Sequence, residues 1–179
     1  MHTDELLKRY HDGERVFRAV CLAEARLAEV DLSGSNLAGA NFLCADLRES
    51  QLYRANLFGA QLSLADLSKA NLSKANLTKA NLTKANLSNA DLSGALLVET
   101  KLMRARLSKV TLRRADLRMA DLGSVDLRWA DLTGADLRNA SLIGADLRHA
   151  VLVGARIRGA DLTGADFSGA TMPDGTTDA

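Results

Sequence analysis

Residues 65–92 read ADLSKANLSKANLTKANLTKANLSNADL, which is one five-residue unit copied with almost no change. Each unit runs Ala, then Asp or Asn, then Leu, then Ser or Thr, then Lys or another polar residue. A period of five matches neither the two-residue period of a strand nor the 3.6-residue period of a helix. A short self-similar period is typical of a solenoid, in which each unit buries its apolar side only against its neighbours. The sequence therefore predicts a repeat architecture.

The same register extends over almost the whole chain of 179 residues. An apolar residue, here called the centre of the unit, stands at Phe17, Leu22, Leu27 and every fifth position up to Met172, which makes 32 centres without an insertion. Two residues before the centre stands a small residue in 31 of the 32 units, and it is Ala in 24 of them; only Arg15, in the first unit, is large. One large and one small inward side chain per unit indicate that each unit turns a corner around a narrow apolar core. We expect the other three positions to face solvent.

Tandem A(D/N)LxX units with unbroken Leu or Phe centres resemble the pentapeptide-repeat proteins, and the resemblance covers residues 15–174. It implies an all-β fold, a right-handed quadrilateral parallel β-helix with four units and twenty residues per coil. Eight such coils would make a rod about 38 Å long. The opening DELLKRYHDGERVF (residues 4–17) and the closing GATMPDG (residues 169–175) are similar to the termini of cyanobacterial members, including one that regulates heterocyst patterning. In those members a short N-terminal helix caps the rod.

This resemblance divides the chain into three parts. We expect an N-terminal helical cap over residues 1–14, a pentapeptide-repeat β-helix over residues 15–174, and a loose C-terminal tail over residues 175–179. Within the cap, Thr3 can serve as the N-cap and Gly13 as the C-terminal stop. A solenoid needs such a cap, because otherwise the apolar cross-section of its first coil meets water.

Arginines that follow the centre support four units per coil. Their spacing of ten places them on two opposite sides of a twenty-residue coil, whereas a fifteen-residue coil would scatter them. They are Arg118, Arg128, Arg138, Arg148 and Arg158.

Charge and composition bear on several classes of function. The net charge is +1, from 23 basic and 22 acidic residues, which argues against a strongly basic nucleic-acid binder and against an acidic DNA mimic. The charge is −3 over residues 1–50, +8 over residues 51–114 and −4 over residues 115–179. The two cysteines, Cys21 and Cys44, form neither a disulfide framework nor a metal-ligand spacing. Because no membrane-spanning apolar run or signal-peptide core is present, we expect a reduced cytoplasmic protein.

The sequence contains no recognisable pattern of catalytic or metal-binding residues. The three histidines, His2, His11 and His149, form no nucleophile–base arrangement with the Ser, Cys and Asp residues. Aspartates two residues before the arginines are expected to form surface ion pairs rather than metal sites. The basic residues between 101 and 118 spread over several sides and lack aromatic interleaving, so nucleic-acid contact is not favoured. We expect no enzyme activity, no cofactor and no metal.

Function is expected where the repeat pattern is broken. Apolar side chains replace polar ones at outward positions, and Trp129 stands one coil from His149 among arginines. An apolar patch on a soluble rod can mark a partner surface, although scattered surface apolar residues are also normal. The candidate partner surface comprises Leu43, Tyr53, Phe58, Leu64, Leu96, Val98, Met103, Arg118, Arg128, Trp129, Arg138, Arg148 and His149.

These features predict a non-enzymatic interaction scaffold or regulator, monomeric, that docks an unidentified protein partner and neither nucleic acid nor membrane. The resemblance supplies two alternatives. One is a DNA-mimic modulator of a type II topoisomerase (gyrase), although such family members are strongly acidic and dimerise through a C-terminal element, whereas this chain has a basic middle. The other is a regulator of a transcription-factor complex in cyanobacterial differentiation, which is a special case of the scaffold.

Overall fold

The computed structural model describes residues 1–178, and the single α-helix of this part of the chain, α1, extends from Thr3 to His11. The prediction that Thr3 is the N-cap is wrong by one residue. The carbonyl of His2 accepts the first helical hydrogen bond from the Leu6 N–H, at 3.1 Å, so His2 is the cap and Thr3 is already helical. Gly13, with φ of +94°, follows the C-cap Asp12 and ends the helix as expected.

Helix α1 packs against the first coil of the repeat. Leu6 is fully buried, and Leu7 and Tyr10 are partly buried against the same core. The Tyr10 hydroxyl donates a hydrogen bond to the Ser33 carbonyl at 3.0 Å. The helix thereby shields apolar side chains of the first coil from water.

From Val16 onward, the chain forms parallel bridges between residues that are twenty positions apart. The bridges begin at Val16–Asn36, end at Val151–Thr171, and each joins the residue before a centre to its counterpart in the next coil. They are single-residue bridges, and residues 1–178 contain no continuous strand. Residues twenty positions apart therefore stack on one another along the chain, as in a β-helix solenoid.

The core is a stack of centres and small corner residues along the axis. Every centre from Phe17 to Leu152 is buried, and the alanines two residues before the centres fill the space between them from Ala40 to Ala155. Three polar residues take the small position inside this core: Ser35, Ser50 and Thr100. The Ser50 and Thr100 hydroxyls donate to backbone carbonyls at 2.7 and 2.8 Å, whereas the Ser35 hydroxyl has no hydrogen-bond partner among the described residues.

Each unit turns through a β-turn whose third residue has positive φ. In the unit Leu72–Ala75, for example, the Ala75 N–H donates to the Leu72 carbonyl at 3.0 Å, and Lys74 has φ of +58°. The second residue after the centre takes this left-handed conformation in every unit from Ala19 to Gly169. Such a position usually requires Gly or Asn, yet 21 of these 31 residues are not glycine. Ten units do carry glycine there, so a glycine substitution at this position is compatible with the coil.

The last residues close one side of the final coil. The Met172 N–H donates to Thr176 at 2.7 Å, the Asp178 N–H donates to Ala170 at 2.9 Å, and Thr171 and Thr177 form an antiparallel bridge. The expectation of a loose tail over residues 175–179 therefore needs correction for 175–178, because the Pro-Asp-Gly turn folds the chain back onto the coil. Ala179 lies outside the described residues.

Candidate functional site

The bridge spacing sorts outward residues into columns, each made of residues twenty positions apart along the rod. The thirteen residues predicted as a partner surface fall into four groups of neighbouring columns rather than one surface. The first group is Phe58, Leu96, Val98, Arg118 and Arg138; the second is Leu43, Leu64 and Met103; the third is Arg128, Trp129, Arg148 and His149; and Tyr53 stands alone.

The N-terminal apolar residues are exposed but dispersed. Phe58 and Leu64 are 44% and 54% exposed, and the residues one coil further along their columns, Thr78 and Lys84, are polar. Tyr53 is half-buried, with the Arg54 guanidinium 5.2 Å and the Lys74 ammonium 5.8 Å from its ring centroid. The structure therefore does not bring these residues together into one apolar patch.

The third group is compact, and we call it the aromatic–arginine patch: Arg128, Trp129, Arg148 and His149. The rings of Trp129 and His149 stack with centroids 4.2 Å apart and planes 19° from parallel. Trp129 is nevertheless 58% exposed, so a large part of this side chain is open to solvent. The four side chains line a shallow cavity of about 220 Å³.

Gly169 leaves room for the His149 ring of the stack. It occupies the same column as Trp129 and His149, one coil further on. A Cβ at this glycine would stand 2.5 Å from Nδ1 and 2.8 Å from Cε1 of His149, so the ring occupies the space that a side chain would need. Sequence reasoning missed Gly169, although its spacing of twenty from His149 was a signal.

The arginines of the patch are held by aspartates of the same unit. Arg128 donates from Nε and Nη2 to the two carboxylate oxygens of Asp126, each at 2.9 Å. Arg148 makes the same fork with Asp146, at 2.9 and 2.7 Å. These side-chain hydrogen bonds lower the pKa of both aspartates. The guanidinium groups are therefore fixed beside the ring stack, as bidentate pairs fix geometry.

The same fork recurs in the first group, where Arg118 pairs with Asp116 and Arg138 with Asp136. The interpretation of the Asp–Arg pattern as surface ion pairs is confirmed. Weaker contacts link coils, since Arg128 Nε lies 3.6 Å from an Asp146 oxygen. Met119, which sequence reasoning overlooked, is 58% exposed and lines a shallow cavity with Val98, Arg118 and Arg138.

Cys21 and Cys44 are exposed free thiols. Within residues 1–178, no three His, Cys, Asp or Glu side chains are grouped so that they could hold a metal ion. Across the same residues, no helix has the length and apolar character needed to cross a membrane.

Stacked five-residue units with buried leucine centres and alanine corners define a β-helical solenoid protein. The family model described as Pentapeptide repeats matches the chain in 8 copies, over residues 21–59, 60–97, 93–128 and 130–169. The chain belongs to the pentapeptide-repeat family, as its sequence predicts, and its fold is a right-handed β-helix.

Several solved structures are similar to this chain. One is HetL, a pentapeptide repeat protein involved in heterocyst differentiation regulation from the cyanobacterium Nostoc sp. strain PCC 7120, with 31% identity over 99% of this chain and 100% of HetL and a TM-score of 0.46. A pentapeptide repeat protein of the Arabidopsis thaliana thylakoid lumen has 30% identity over 66% of this chain and 72% of its own, with a TM-score of 0.45. A trypsin-treated form of QnrB1, a plasmid-mediated fluoroquinolone resistance protein, has 18% identity over 88% and 78%, with a TM-score of 0.43. A comparison with curated proteins gives no match.

Proposed function

We propose that this protein is a non-enzymatic interaction scaffold, a rigid four-sided rod of about eight coils that docks a protein partner. The twenty-residue bridge spacing, equal to four units, supports the quadrilateral coil, and bridges from Val16 to Thr171 support the coil number. The helical cap corresponds to residues 1–14 and the rod to residues 15–174. A rod of this kind presents fixed side-chain columns rather than a deep substrate cleft.

The main support for a docked protein partner is the aromatic–arginine patch. Trp and Arg are the residue types most enriched among those that dominate binding energy at protein interfaces. Here Trp129 is exposed and held flat on His149, and the two arginines are fixed by their aspartates. Because these side chains lose little freedom on binding, the entropic cost of docking is small. A partner would pack an apolar side chain on the Trp129 ring and place acceptors near the guanidinium edges.

The partner is a protein rather than nucleic acid or membrane, and the rod is a cytoplasmic monomer without a cofactor. Support for a protein partner comes from the charge balance of 23 basic against 22 acidic residues. Support also comes from the ion pairs, because arginines already paired with aspartates offer less net charge to phosphates. His149 packs between Trp129 and Gly169, which gives the one histidine of the rod a packing role.

A regulatory role in a transcription-factor complex of cyanobacterial differentiation is a special case of this scaffold, proposed by analogy. HetL, which is described as involved in heterocyst differentiation regulation, is 31% identical to this chain over nearly all of both. The transfer of a partner from HetL is by analogy. The topoisomerase alternative has less support, because the net charge of +1 differs from that of an acidic DNA mimic and the identity to QnrB1 is 18%.

The test compares two glycine double variants of the full chain as baits in the native cell. Trp129→Gly with His149→Gly removes the stack, while Lys84→Gly with Arg104→Gly removes two side chains from equivalent positions in another column. All four residues have positive φ, where glycine occurs in other units, so both variants should fold. We expect the patch variant to capture at least about tenfold less partner, as expected for loss of a dominant interface residue, and the control variant to capture the wild-type amount. Equal capture by the two variants would contradict the proposal.

A further inference from the structure

A second surface, separate from the aromatic–arginine patch, is a groove of about 580 Å³ in the middle of the rod. It follows one column of residues that each stand two positions after a centre, in which Lys74, Gly94, Arg114, Gly134 and Gly154 succeed one another at intervals of twenty. Arg113 and Val153 line its side. We call it the basic groove.

The glycines open the groove and the two long side chains shape it. The Lys74 Cγ lies 3.7 Å from the place where a Cβ of Gly94 would stand, and the Arg114 Cγ lies 3.5 Å from the corresponding place at Gly134. Each aliphatic stem therefore lies over the following glycine and forms part of the wall. In the column with Trp129 and His149, by contrast, the one glycine is Gly169, and the His149 ring fills the space beside it.

The groove carries positive charge that the protein itself does not neutralise. Lys74 and Arg114 form no ion pair with any residue between 1 and 178. Arg113 is partly paired, with Nη1 3.3 Å from an Asp131 oxygen. This differs from the forked arginines of the patch, whose Nε and Nη2 are both occupied by an aspartate.

We propose that the basic groove binds an extended acidic segment of a partner protein through carboxylates that pair with Lys74 and Arg114. From Lys74 to Gly154 the groove extends over four coil steps, about 19 Å at about 4.8 Å per step. This length holds about six residues of extended peptide at about 3.3 Å each, and the two coil steps from Lys74 to Arg114 match about three of them. Val153 at one end offers contact to an apolar side chain of the segment.

A peptide fits this groove better than a nucleic acid does. Single-stranded nucleic acid is bound by stacking successive bases on aromatic rings within long basic channels. No aromatic ring lines the basic groove, and the Tyr53 ring beyond its Lys74 end lies 5.8 Å from the Lys74 ammonium, which is one aromatic contact rather than a row of stacking platforms. Duplex binding uses many phosphate contacts, whereas the groove offers two unpaired cations within a short length. The partial pairing of Arg113 with Asp131 also lowers the positive charge that the groove offers to a polyanion such as a duplex.

The test is fluorescence anisotropy of a fluorescein-labelled tetraglutamate peptide titrated with the full chain at low salt, beside a tetraglutamine peptide and a labelled DNA duplex. Arg114→Gly is compared with Arg104→Gly, and Lys74→Gly with Lys84→Gly. Within each pair, both residues have φ between +56° and +59°, and each variant loses one positive charge. Circular dichroism checks that the four variants keep the wild-type fold.

We expect the wild type to bind tetraglutamate but not tetraglutamine. Each groove variant should raise the dissociation constant at least about fivefold, as loss of a charge-assisted contact does, while each control changes it less than about twofold because it alters only the general field. Equal weakening by groove and control variants, or no saturable binding of tetraglutamate, would overturn the proposal. Tighter binding of the duplex than of the peptide would also overturn it. None of these outcomes depends on the aromatic–arginine patch, whose variants are tested separately.

Discussion

Replacing Gly169 with alanine should disrupt the ring stack of the aromatic–arginine patch. The His149 ring stands 2.5 to 2.8 Å from the place that the new Cβ would take, so the ring must swing away and lose its contact with Trp129. Gly154→Ala is the matched control, because its φ of +68° is close to the +70° of Gly169 and its Cβ would meet no atom within 4 Å. Both glycines also donate their N–H to a carbonyl of the C-terminal residues, Gly154 to Pro173 and Gly169 to Asp178, each at 2.9 Å.

Two free-energy terms are common to both variants and cancel in the comparison. Alanine at positive φ costs about 1–2 kcal/mol, offset by about 0.4–1 kcal/mol from the lower entropy of the unfolded chain. Only Gly169→Ala also loses an aromatic stack, which is worth about 0.5–1.5 kcal/mol. We therefore expect Gly169→Ala to lower the free energy of unfolding by about 0.5–1.5 kcal/mol more than Gly154→Ala.

Urea denaturation followed by circular dichroism measures this difference. Trp129 is the only tryptophan of the chain, so its fluorescence should change in Gly169→Ala and not in Gly154→Ala. In a His149→Ala background the two alanine variants should become equally stable, since the clash and the stack are both gone. A difference that persists without His149, or no difference in the wild-type background, would refute the reasoning.

Three further predictions concern the rod itself. Leu77→Ala should lower the free energy of unfolding by about 2–5 kcal/mol in urea denaturation, because it leaves a cavity at a fully buried centre; a loss near zero would contradict the stacked core. Ser35→Ala should raise the free energy of unfolding by about 1 kcal/mol, because it removes an unpaired buried hydroxyl, while Ser50→Ala should lower it by about 0.5–1.5 kcal/mol, because it removes a hydrogen bond; the opposite order would be inconsistent with these contacts. Arginine hydrogen bonds lower the pKa of Asp116, Asp126, Asp136 and Asp146, so their contribution to stability is present above the unfolded-state pKa of about 3.9 and lost as pH falls through the lower folded values. Urea midpoints should therefore stay level from about pH 7 to 5 and fall below about pH 4, and Asp136→Asn should reduce that fall.

The periodic part of this structure could be predicted from the sequence because its cause is local and repeated. Each unit places one leucine and one alanine inward, so the core follows from the five-residue register alone. The twenty-residue coil then placed Trp129 beside His149 correctly, and the two-residue spacing of Asp126 and Arg128 predicted their ion pair.

The remaining features depend on contacts between coils that no single unit specifies. Lys74 and Trp129 adopt positive φ although neither residue type favours it, because the turn geometry of the stacked coil overrides local preference. The absence of a side chain at Gly169 has a consequence only because the His149 ring of the preceding coil occupies that space. In the basic groove, likewise, Gly94 leaves room that the stem of Lys74, one coil earlier, partly lines.

A partner that docks on the aromatic–arginine patch must also come close to Lys109, which precedes Trp129 by one coil in the same column. Site-specific photo-cross-linking detects such a partner without altering the patch, with a photoreactive phenylalanine analogue in place of Lys109 and, in a second bait, in place of Lys84 on another column. Both positions have positive φ, of +57° and +59°. The proposal predicts a discrete cross-linked protein in the native cell from position 109 and none from position 84. No product from position 109, or the same product from both positions, would contradict it.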